Sequence, residues 1–137
     1  MAIEKDLIKR EIQKLNLLLT GLIEKIGGRN PDDYKSRIEE LNAVLNNEFN
    51  MSLNNISEMK ASELIKQLSE IEASHTDKIA ELIYLVLKDS LSVDSEVGCY
   101  KNKLAANAIV MIDFLNENSQ TFSFKRMNMK NELQQYV

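Results

Sequence analysis

The sequence predicts an all-α fold of five or six mostly antiparallel helices, and three observations carry that prediction. Helix breakers are scarce: one proline, Pro31, and four glycines, Gly21, Gly27, Gly28 and Gly98, in 137 residues. Apolar residues recur at intervals of three and four through most of the chain, the period of one helix face. No run of alternating β-branched residues bounded by turn dipeptides is present, so the strand pattern is missing. With 44% hydrophobic and 28% charged residues, a chain of this length buries one core without metal or disulfide staples. Residues 1–137 therefore read as a single all-helical domain.

The first helix is expected over Ile3 to Ile26. Its core positions are Ile8, Ile12, Leu15, Leu19, Leu22 and Ile26, spaced 4-3-4-3-4. Leu18 and Ile23 widen that seam, and Leu17 falls nearly opposite Leu15 at about 100° per residue. The middle of the helix is thus apolar almost all round, as expected of a helix sandwiched in its own domain or shared with a second subunit. Leu17, Leu18 and Ile23 are the candidate self-association surface.

The segment "GGRNPDDY" ends that helix and starts the next. Gly27 or Gly28 can close the first, Asn30 is a natural cap, Pro31 suits the first helical position, and Asp32 and Asp33 favour the positive helix end. A phosphate held by "GGRNP" and Arg29 is disfavoured, because those two carboxylates stand where the anion would sit. The second helix carries Tyr34, Ile38, Leu41, Leu45 and Phe49 inward, and its Glu39 and Glu40 read as a solvated pair.

Around "NMSLNNISEMK" the period blurs, and Met51, Leu53, Ile56 and Met59 anchor a turn or short helix. A third regular helix is expected over Ala61 to Ile71 on Leu64, Ile65, Leu68 and Ile71. A fourth, His75 to Leu91, buries Ile79, Leu82, Ile83, Val86 and Leu87. The fifth, Ser95 to Asn118, packs Val97, Leu104, Ala105, Ala108, Met111, Ile112 and Leu115. Ala105, Ala106 and Ala108 admit a closely packed neighbour, so the fourth and fifth helices are expected to form a tight hairpin. A short terminal helix follows a Ser123 cap, anchored by Phe122 and Phe124.

Three stretches carry a resemblance. "AIVMIDFLNENSQTFSF" resembles the C-terminal signature of a family of short all-helical bacterial proteins of unknown function, whose second half is a helical hairpin similar to tetratricopeptide repeats. "IKREIQKLNLLLTGLI" and "YKSRIEELNAVLNNEFNMSLNNIS" look like that family's N-terminal helices. The resemblance implies a bacterial helical bundle of an N-terminal helical pair (1–50), short helices (51–72), a tetratricopeptide-like hairpin (73–119) and a C-terminal helix (120–137). It implies no enzyme chemistry. No second copy occurs at the repeat's period of about 34 residues, so a long concave groove is not expected.

Chemistry is sparse. His75 is the only histidine, and Glu72 stands three residues before it, the carboxylate–imidazole spacing of di-iron bundles. Such a site needs two of these pairs and two more glutamates. Ser74 reads instead as a helix cap with Asp77 at the third helical position, which puts His75 in the first turn of one helix and Glu72 at the end of another. Cys99, the single cysteine, has no histidine to activate it and reads as a buried thiol. No G-x-S-x-G elbow is present. The sequence therefore assigns no catalytic, cofactor-binding or metal-ligating residue, and no cofactor.

A formal charge of −4 offers no general attraction for phosphate or anionic lipid. "FKRMNMK", with Lys125, Arg126 and Lys130, is the locally basic segment, too small for more than weak nucleic-acid contact. One unpaired cysteine points to a reducing compartment. "LNLLLTGLI" is too short to span a bilayer and, flanked by Glu4, Asp6, Glu11 and Lys25, lacks the form of a secretory leader. A cytoplasmic, non-enzymatic interaction or scaffolding protein is expected, with an unknown protein partner or a second copy of itself. A metal- or small-ligand-dependent enzyme using Glu72 and His75 is the alternative, and a nucleic-acid adaptor the weaker one.

Overall fold

The computed structural model describes residues 2–27, 34–89, 101–118 and 123–137. Those residues form seven α-helices, a closing 3-10 turn and no strand. The helices are α1 (Ala2–Gly27), α2 (Tyr34–Phe49), α3 (Leu53–Glu58), α4 (Ala61–Leu68), α5 (Ala73–Asp89), α6 (Lys101–Asn118) and α7 (Phe124–Leu133), followed by the turn Gln134–Tyr136. No described helix is long and apolar enough to cross a membrane.

α6 is the hub. It packs against α3, α4, α5, α7 and the closing turn, while α1 lies on α5 and α2. That position explains its burial: Leu104, Ala105, Asn107, Ala108, Met111, Ile112 and Leu115 are all inside. Ala105 and Ala108 are fully buried, as close helix approach requires. Leu82, Ile83, Val86 and Leu87 of α5 complete the centre, each worth about 1.5–3 kcal/mol for removal from water.

Local chemistry sets the boundaries. α2 ends where Asn50 takes a left-handed backbone (φ 54) and returns its N–H to the Asn46 carbonyl at 3.2 Å. Asparagine tolerates this conformation better than most side chains, a stop signal the helical period alone does not show. Ser52 caps α3 by accepting the Asn55 N–H, and Leu53 N–H donates to the Asn42 side chain at 2.9 Å. Ser123 caps α7 by accepting from the Arg126 N–H at 3.2 Å, as the sequence predicts.

Four expectations need correction. Ile8 is 59% exposed, because the seam of α1 is covered only from its middle onward, where Leu19, Leu22 and Ile26 are buried. Ile65 is exposed, since the short α4 turns only Leu64 and Leu68 inward. Phe124 is 72% exposed and does not anchor α7; Met129 and Leu133 do. Ser74 is not the cap of α5. The first bonds of that helix run from the His75 and Thr76 N–H groups to the Glu72 carbonyl, at 2.9 and 3.1 Å. The Ser74 hydroxyl is drawn off to accept from Asn16 Nδ2 of α1 at 3.1 Å. Phe122, Cys99, Val97 and the turn segment 28–33 lie outside the described residues.

Candidate functional site

His75 sits in the first turn of α5, as the sequence predicts, and is only 4% exposed. Its Nε2 meets the Ile12 carbonyl of α1 at 3.0 Å. A carbonyl can only accept, so Nε2 donates a ring proton to it. The ring also meets Phe49 edge-on, with centroids 5.8 Å apart. Together with the Asn16–Ser74 bond, this imidazole fastens the start of α5 to the middle of α1.

Glu72 lies one residue before α5 and is exposed. It and His75 border one open cleft of about 500 Å³, together with Glu48, Phe49, Gln67 and Glu70. Among the described residues, no group of three or more His, Cys, Asp or Glu side chains is placed to hold a metal ion.

The predicted self-association surface divides in two. Leu17 is 74% exposed and Leu18 is exposed, whereas Ile23 packs against the core. Leu7 and Ile8, further along α1, are exposed as well. On the helical wheel Leu7, Leu17, Leu18 and Gly21 fall within one side of α1, with Arg10 and Lys14 between them. Apart from the backbone of α1 itself and Gly21's chain neighbours, nothing among the described residues lies within 4 Å of where a Cβ on Gly21 would point.

The basic segment of α7 is committed elsewhere. Lys125 pairs with Glu81, Arg126 Nε stands 3.9 Å from Asp77, and Lys130 donates to Asp113 at 2.7 Å. Its cations thus tie α7 to α5 and α6. Tyr84 donates to Glu132 on α7, and Lys101 lies 4.5 Å from the Tyr136 ring centre. Burial first, then the bond to Glu132 and that carboxylate's charge, push the Tyr84 phenol up to about 12. Burial and the same carboxylate also raise Tyr136. The sequence signal for these ties was the alternation of cations on α7 with acids on α5 and α6, legible only once the helices are placed.

Comparison with protein-family models, with curated proteins and with solved structures gave no match.

Proposed function

We propose that this chain is a non-enzymatic interaction protein that pairs with a second copy of itself along α1. The observation that carries the reading is the row of exposed leucines, Leu7, Leu17 and Leu18, on one side of that helix. Gly21 supports it. A glycine inside a helix costs roughly 0.5–1 kcal/mol relative to alanine, and no described residue of another element occupies the space its missing side chain leaves. A second helix crossing there gains close approach.

Charge supplies the register. Arg10 precedes Leu17 by the same two turns by which Glu24 follows it, and both are exposed. A two-fold axis at Leu17 therefore sets each Arg10 against the other copy's Glu24, a self-complementary arrangement of the kind isologous dimers use. The test is a charge swap followed by sedimentation. Arg10→Glu should weaken association and Arg10→Glu with Glu24→Arg should restore it. Association indifferent to both changes would remove this register.

A further inference from the structure

α3 and α4 pack against α6 and leave an open groove along its outer face. Two hollows of about 440 and 390 Å³ follow one another there, the first over Met59 and Ala106, the second over Ala61, Ile65, Val110 and Phe114. We propose that this groove receives an amphipathic helix of another protein, its apolar stripe on Val110 and Ile65 and a basic end over Glu117. The inference goes beyond the pairing of α1, whose residues do not border the groove, and does not rest on it.

The lining calls for apolar cover. Ile65 is 44% exposed, and Met59, Val110 and Phe114 pack on the core yet are only partly buried. Side chains of separate helices thus present one apolar strip, unlike the scattered single residues of an ordinary surface. Ala106 adds a small position at which a neighbouring backbone can come close.

Backbone chemistry calls for a helix. From Ala106 to Glu117 the floor runs for about three helical turns. No described strand borders it, so an extended segment would find no sheet edge for its N–H and C=O groups. A helix satisfies its own and offers a ridge of side chains to the groove between α4 and α6.

Charge sets the chemistry of one end. In the first hollow Lys103 and Glu58 stand together and offset each other. The second holds Asp113 and Glu117. Asp113 meets Lys130 at 2.7 Å, whereas Glu117 makes no ion pair among the described residues. Glu117 also lies in the last turn of α6, where the dipole of its own helix disfavours a carboxylate. The carboxyl end of α6 reinforces that negative field, so this end of the groove selects a cation.

The test is a titration of the isotope-labelled full chain, read by NMR at the Ile65 and Val110 methyl groups. The probes are two alanine-based helical peptides with the same leucine stripe, one with lysines in its last turn and one with glutamates in its first. Each charge is thereby placed where it suits the peptide's own helix. The lysine peptide should shift both residues saturably and bind about threefold tighter than the glutamate peptide. Glu117→Lys should reverse that order, and Ile65→Ser should weaken both peptides on the order of tenfold. Both positions are exposed, so the fold is unchanged. Absence of saturable shifts at Ile65 and Val110, equal binding of the two peptides, or an order unaltered by Glu117→Lys would each overturn the proposal. Shifts of the same methyl groups on concentrating the chain alone would give the groove to a second copy and overturn it as well.

Discussion

His75, Asn107 and Tyr84 show how single side chains tie elements together here. Asn107 is buried on α6, and its amide donates to the carbonyls of Ile56 and of Met59, at 3.0 Å for the latter. Those carbonyls end α3, so the amide replaces solvent for them. Asn107→Ala should cost about 1–3 kcal/mol in urea denaturation, whereas the exposed Asn102→Ala should stay within about 0.5 kcal/mol. Tyr84 gives a pH dependence of definite sign. Its folded pKa lies above the unfolded value of 10.0, at about 12, so its contribution is complete below pH 10 and is lost as pH rises through 12. Alkaline titration followed by far-UV circular dichroism should show stability falling in that window, and Tyr84→Phe should flatten the fall. His75 does fall in a first turn, but not through the cap its neighbours suggest, since the helix opens at Ala73 on the Glu72 carbonyl. Its partner was not legible, because Ile12 lies 63 residues away and a backbone carbonyl leaves no mark in sequence. The Ser74 error has the same root, since Asn16 outcompetes the local cap from another helix.

At the scale of elements, α1 divides into a half that packs and a half that does not. Leu19→Ala, at a fully buried position, should cost about 2–5 kcal/mol. Leu17→Ala should change the stability of the isolated chain by less than about 0.5 kcal/mol. Gly21→Ala should stabilise it by roughly 0.5–1 kcal/mol, because a methyl there meets open space. Thermal melts of the three variants check all of these together. The period of α1 was legible, but its depth was not. A seam of apolar residues states which face is buried if a neighbour is present, and cannot state how far the neighbour reaches. For the same reason Ile8 and Phe124 were expected inside. The cap at Ser123 was legible because its partner, the Arg126 N–H, is three residues away.

For the whole molecule, the class followed from period and the scarcity of breakers, whereas the role of α6 did not. Its apolar residues surround the helix because five elements pack on it, yet in sequence that spread only blurs the amphipathic signal. The cleft was illegible for a similar reason. Glu48, Gln67 and His75 come from three helices, and only their packing makes one wall of them. What the described residues leave uncovered is the leucine row of α1, the face a second copy would cover. Light scattering of the purified chain at rising concentration is the direct measurement. Pairing along α1 should give a mass approaching twice 15.7 kDa that returns to the single value in Leu17→Asp. A chain that stays at 15.7 kDa at every concentration would contradict it.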